Sequence, residues 1–219
     1  MMRAIQMAVA CGVVLVTMAG QVQAEMLTTQ YSGGNSQSGN MFDVKVFANP
    51  LLVTSLDLNL TSGTWNIELY SKVGSYEGFE SDALAWTLID SVSSVTSNGA
   101  NIATPVDFLD FGLLSSTTYG LYVTSTSIGP IMLYTDGTGV GNVAASNSDL
   151  EILEGAGTAY AFGSSYTPRI WNGTVHYDVG TVSPVPEPTS IAMFGIGACV
   201  MGIAAPHFRR RVNNRTTTA

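Results

Sequence analysis

The chain has 219 residues, a formal net charge of −8, two cysteines and two histidines. That length accommodates one domain with a proper core plus short terminal segments. The acidic balance argues against nucleic acid and anionic lipid as partners, and the cysteine count argues against a disulfide framework or a thiolate zinc site.

At the N-terminus Arg3 precedes an apolar stretch from about Ala4 to Ala19, and Val22-Gln23-Ala24 puts small or modest residues where signal peptidase reads. Residues 1–24 therefore read as a signal peptide cut after Ala24, the alternative being an uncleaved N-terminal membrane helix. Cys11 comes before most of its apolar run, Gly12 to Met18, whereas a lipidated cysteine follows its run. Lipidation is not expected.

Residues 25–183 form the expected ectodomain. Both cysteines, Cys11 and Cys199, fall outside it, so its stability has to come from packing. Fifteen of the sixteen acidic residues fall inside it against Lys45, Lys72 and Arg169, a net charge near −12. Such a surface favours solubility, divalent cations or neutral sugars.

The pattern along this segment has period two. Ser32 to Asn40, rich in Ser, Gly and Asn, reads as a flexible lead-in or long loop, and Phe42 to Ala48 as a strand. Leu56, Leu58 and Leu60 alternate with polar residues, as do Trp65, Ile67 and Leu69. The turn chemistry of Thr61-Ser62-Gly63-Thr64 between them predicts a hairpin. Further strands are expected at Ala85 to Val92, Val106 to Phe111, Thr118 to Thr124, Ile131 to Tyr134, Leu150 to Leu153, Thr158 to Phe162 and Thr174 to Val179. Many short strands with Gly, Ser, Asn and Thr between them predict an all-β, antiparallel, jelly-roll-like β-sandwich without internal repeats.

The ectodomain has one histidine, His176, and Asp178 at i+2 shares its strand face, which is the beginning of a Ser-His-Asp arrangement. No Gly-x-Ser-x-Gly accompanies it, and a strand histidine is ordinarily a surface or packed residue. Glu77, Glu80, Asp82, Asp107, Asp110, Asp149, Glu151 and Glu154 offer carboxylate pairs for glycoside hydrolysis, but an acidic surface supplies pairs by chance. No catalysis is expected. No cofactor is expected either; Ca²⁺ is the one ion considered, at Asp136-Gly137-Thr138-Gly139 and Asn147-Ser148-Asp149, against the reading of both as solvated turns. Tyr70, Tyr76, Phe79, Tyr122, Tyr166 and Trp171 are candidates for stacking on sugar rings, with Trp65, Trp86 and Tyr119 assigned to the core.

Thr181 to Pro188 reads as a linker. Within it Pro186 and Pro188 hold Glu187 extended, a form that exposes backbone on both sides of a bond to a protease. Ile191 to Ala205 is uncharged, and as a helix it rises roughly 22 Å, short of a ~30 Å hydrocarbon core. Arg209, Arg210 and Arg211 follow and hold that end in the cytoplasm, which puts the ectodomain outside. A short span suits a temporary stop, and residues 212–219 are left as a cytoplasmic tail.

Pro-Glu-Pro, an apolar helix and a basic cluster, in that order, resemble the PEP-CTERM sorting domain of bacterial surface proteins, over about Val185 to Arg211. The resemblance implies a sorting segment at 184–211, with Pro186, Glu187 and Pro188 as the recognised motif and Arg209 to Arg211 as the membrane stop. It also implies an exosortase as the processing enzyme, beside signal peptidase. Gly74-Ser75-Tyr76-Glu77-Gly78, Tyr119-Gly120-Leu121-Tyr122-Val123 and Trp171-Asn172-Gly173-Thr174 are similar to stretches in ectodomains of such sorted proteins, and imply no activity. The expected protein is exported, held briefly in the inner membrane and delivered to the surface or extracellular matrix, where its ectodomain serves adhesion or association with exopolysaccharide. The alternative is a secreted module that binds or cuts a surface glycan.

Overall fold

Alternation of apolar and polar residues gives each long strand one face for a core, and in the computed structural model two antiparallel sheets meet across it. The structure describes residues 23–180. The chain divides into two units after Val182, and these residues lie in the first. The signal segment up to Val22, the Pro-Glu-Pro motif, the apolar run and the arginine cluster lie outside the described residues.

In chain order the strands are β1 (Gln23–Thr28), β2 (Asn35–Gln37), β3 (Gly39–Val46), β4 (Leu51–Asn59) and β5 (Thr64–Val73). A single 3₁₀ turn, Ala83–Ala85, precedes β6 (Thr87–Thr96), β7 (Ala103–Val106), β8 (Phe111–Leu113), β9 (Thr118–Ser125) and β10 (Met132–Asp136). The rest are β11 (Val143–Ser146), β12 (Leu150–Leu153), β13 (Gly155–Thr158), β14 (Ser165–Trp171) and β15 (Gly173–Val179). The first sheet runs β1-β15-β4-β7, with β8 also on β4. The second runs β2-β10-β14-β13-β3-β9-β5-β6, with β12 on β3 and β11 on β12.

Leu51, Val53, Leu56 and Leu58 of β4 and Val175 and Tyr177 of β15 face Phe42, Val44, Ile67, Leu69, Leu121 and Val123 of the second sheet in one buried core. The all-β antiparallel sandwich is therefore as the periodicity predicts. The hairpin is not. β4 and β5 belong to different sheets, and Thr61–Thr64 is a corner: Leu60 bridges to Met132, the Thr61 N–H donates to Ile131 O at 2.9 Å, and Trp65 Nε1 donates to Thr61 O at 3.0 Å. Turn residues mark where the chain bends. Whether it bends within a sheet or between sheets depends on which apolar face must oppose which, and here the leucines of β4 lie across the core from Ile67 and Leu69.

Other boundaries move for similar reasons. Val106 to Phe111 is two strands flanking a loop, because β7 and β8 each pair with a different part of β4. The stretch after Thr158 leaves the sheet in a tight turn, with Gly163 N–H on Ala159 O at 3.0 Å and Phe162 at φ +54°. Ser32 to Asn40 holds β2 and the start of β3 rather than a free loop; its small residues permit close packing, since a Cβ on Gly39 would lie 2.5 Å from Val123 O.

One corner joins the sheets near the end of the fold. β14 is in the second sheet and β15 in the first, with only Asn172 between them. Trp171, 2% exposed, stacks on Phe42 at 4.4 Å between ring centroids and 8° between planes. Neighbouring β13 carries Gly155 and Gly157, where a Cβ would meet the Met41 carbonyl and the Tyr134 ring respectively. Gly173 closes the corner, since a Cβ there would meet the Trp171 ring and, at 2.5 Å, the Asp57 carbonyl. Asn172 is buried and satisfied, its Nδ2 donating to Gln30 O at 2.9 Å and to Thr135 Oγ1 at 3.1 Å. Trp171→Ala is expected to cost about 3–5 kcal/mol. Tyr166→Ala, at a 49% exposed ring of the same strand, should stay within about 0.5 kcal/mol. Urea denaturation of the two variants measures both.

Candidate functional site

The outer face of the first sheet carries the polar side chains that the core does not use. β15 turns Val175 and Tyr177 inward, so Thr174 and His176 point out. His176 Nε2 lies 2.9 Å from Asp57 Oδ2 on β4. Its partner is thus Asp57 and not Asp178, because the cross-strand diagonal brings Asp57 alongside while a register shift follows His176 in its pairing with β4. Around the pair, Thr174 Oγ1 is bonded to Thr28 Oγ1 at 2.8 Å and to the Tyr31 hydroxyl at 3.1 Å. Burial pushes the Tyr31 phenol up, and the Asp57 charge adds to it. A shallow open cleft of about 280 Å³ beside His176 is lined by Ala24, Glu25, Met26 and His176.

The outer face of the second sheet holds a second, aromatic cluster. Met41, Tyr76, Trp86, Tyr122 and Ala156 are buried there, with Tyr70 and Phe162 packed on them. The loop before β6 contributes Tyr76 and Trp86, and the turn after β13 contributes Phe162, 5.0 Å from Tyr122 and 5.2 Å from Tyr70. These rings cover the sheet and one another. Tyr70 donates its hydroxyl to Glu68 at 2.8 Å, and burial, followed by that hydrogen bond, drives its pKa far up.

This arrangement corrects the sugar-stacking set. Trp171, Tyr76 and Tyr122 are buried, Trp171 in the main core and the other two in the aromatic cluster, and Tyr70 is half-buried against Phe162. Phe79 and Tyr166 remain exposed, and Lys72 Nζ already sits 4.1 Å over the Phe79 ring. Trp65 is packed on the core, while Trp86 belongs to the outer cluster and Tyr119 to the main core.

Several of the acids serve hydrogen bonds and ion pairs within the fold. Glu154 is buried and accepts the Thr138 N–H at 2.5 Å, the Gly139 N–H at 2.8 Å and the Thr138 hydroxyl at 3.0 Å. The loop Asp136 to Gly139 therefore turns amide donors toward a carboxylate, the reverse of the carbonyl ligands a calcium ion needs. Asp136 itself pairs with Arg169 at 3.1 Å. In the second loop Tyr177 donates to Asp149 at 3.1 Å and Asn147 Nδ2 donates to Tyr177 at 2.6 Å. Glu151 pairs with Lys45 at 3.3 Å, and Asp82 caps the 3₁₀ turn through Leu84 N–H. None of the eight carboxylates considered for glycoside chemistry lines the cleft beside His176. Among the described residues, no three His, Cys, Asp or Glu side chains converge on a common ion position. Sequence reasoning missed Asp57 and Met26, and only cross-strand register pairs either with His176.

Comparison with known proteins bears on the end of the chain. The family model of the PEP-CTERM protein-sorting motif matches residues 184–211, so the chain carries that motif over the segment where the Pro-Glu-Pro, apolar and arginine features stand. No curated protein matches the chain significantly. Among solved structures, the crystal structure of the infectious bursal disease virus VP2 subviral particle is similar to 88% of this chain and 53% of the viral chain, at 11% identity and a TM-score of 0.23. The chain spans about half the length of that viral protein. Among the described residues no helix is long and apolar enough to cross a membrane.

Asp43 supplies a pH test of this packing. It is buried beneath the loop before β6, where burial raises its carboxyl above the ordinary 3.8, while hydrogen bonds from Ser75 and from the Tyr76 N–H pull the other way. A raised carboxyl makes the folded state hold its proton more tightly than the unfolded one. Its contribution therefore favours folding below 3.8 and is lost as pH rises through the folded-state value. Asp43→Asn, which keeps an acceptor for Tyr76, is expected to flatten that decline, seen as a gap in melting temperature between the two proteins that changes from acid to neutral pH.

Proposed function

We propose that this is an exported, non-catalytic protein, delivered to the bacterial surface or extracellular matrix by exosortase-type processing, whose sandwich serves adhesion or association with exopolysaccharide. The sorting motif at residues 184–211 carries the reading. The ends of the domain support it. Gln23 pairs with Val179 across β1 and β15, so the chain enters and leaves the sandwich side by side, which suits a body delivered by a signal peptide on one side and a sorting tail on the other.

The domain's side chains support a binding or bulk role over catalysis. The most buried acid, Glu154, is consumed in holding a loop. Repeated passage of the chain between the two sheets supports a jelly-roll-like winding. A charge near −12 with Lys45, Lys72 and Arg169 all engaged favours a neutral polymer over an anionic one. The glycan-module alternative now rests on Phe79 and Tyr166.

In the native cell, the mature protein is expected to lack Arg209 to Arg211, as read by mass spectrometry of its C-terminus. With Pro186, Glu187 and Pro188 all changed to alanine, the arginines should persist and the protein should stay in the membrane fraction. Identical C-termini in the two proteins would sink the proposal.

A further inference from the structure

The cleft on the outer face of the first sheet combines donors of an unusual kind. Met26 is the direct cross-strand partner of His176, is 61% exposed, and lines the same cleft. A carboxylate only accepts hydrogen bonds, so in the neutral imidazole His176 Nε2 is the donor to Asp57 and Nδ1 keeps its lone pair. An imidazole whose second nitrogen donates to a carboxylate is the arrangement that orients a metal-binding histidine. A thioether is a soft donor that favours copper(I) and does little for calcium or magnesium.

Processing changes the same cleft. Ala24 is one of its walls, and the signal-peptide reading places the cut directly after it. That cut removes the wall and leaves the α-amine of Glu25 there, one residue before Met26. The Glu25 position stands opposite inward-facing Tyr177, on the other side of the strand from Met26. Lys45, Lys72 and Arg169 all stand on the second sheet, while Asp57 and the Asp178 position flank this one, so the local charge favours a cation.

We propose that the processed protein binds one copper(I) ion in this cleft, through the His176 imidazole, the Met26 thioether and the newly formed Glu25 amine, with Asp57 holding the ring. The proposal depends on the cut after Ala24 and is independent of the C-terminal sorting. It makes the site a product of export: the precursor has two of the donors and the mature chain has three.

The test uses the mature protein recovered from the exporting cells, its N-terminus read by mass spectrometry, titrated with copper(I) without oxygen against a chromogenic cuprous chelator. One equivalent is expected per chain that begins at Glu25. Met26→Leu and His176→Gln should each weaken binding by about tenfold or more, and Asp57→Asn by about 10- to 100-fold. Full-length precursor retaining Ala24 should bind about tenfold more weakly or worse. Met26 is exposed, so an unchanged melting temperature in Met26→Leu separates loss of a ligand from loss of the fold. No copper held against the chelator, or equal retention in Met26→Leu and His176→Gln, overturns the proposal. So does a precursor that binds as well as the mature chain, or a mature chain that starts elsewhere; neither touches the sorting reading.

Discussion

The stack of Trp171 on Phe42 organises much of what surrounds it. An indole lying flat on a phenyl ring at 4.4 Å ties β14 to β3, with β13 between them in the sheet. The same ring forces a glycine at position 173, and that glycine lets the chain pass from the second sheet to the first within one residue. β15 then runs between β1 and β4 and places His176 beside Asp57 and Met26. The outer-face site thus depends on a packing decision made in the core.

The two outer faces are used differently. On the second sheet, two loops fold back and lay Tyr76, Trp86 and Phe162 over Tyr70 and Tyr122, so that face is closed by the protein's own aromatic residues. On the first sheet Thr28 and the His176–Asp57 pair stay at the surface with a cleft beside His176, while Thr174 is buried beneath its bonds to Thr28 and Tyr31. Among the described residues the surface combines acidic side chains and this imidazole with exposed apolar side chains such as Leu84 and Ile128.

Carboxylates illustrate how little composition says about role. Fifteen acids in residues 25–183 suggest ion binding or catalysis on paper. In the fold Glu154 is enclosed by the amides and hydroxyl of Thr138 and Gly139, Asp43 receives the Tyr76 N–H, and Asp149 receives the Tyr177 hydroxyl. Each satisfies a loop that would otherwise bury unpaired donors, which is a structural use of charge.

Local chemistry made part of this protein legible from its residues alone. Period-two alternation announced an all-β body, because the face of a strand is set by neighbours two positions apart. The Pro-Glu-Pro motif, apolar run and arginine cluster announced the sorting segment, because each acts through properties of contiguous chain. The pairing of strands was another matter. Thr61–Thr64 looks like any hairpin turn, and only the meeting of the β4 leucines with Ile67 and Leu69 across the core shows that it joins two sheets. Trp171 looks like a surface aromatic until Phe42, distant in sequence, lies against it, and His176 finds Asp57 rather than Asp178 because register, not sequence spacing, sets cross-strand neighbours. Tertiary structure alone decided these contacts, since they are made between faces that no local stretch contains.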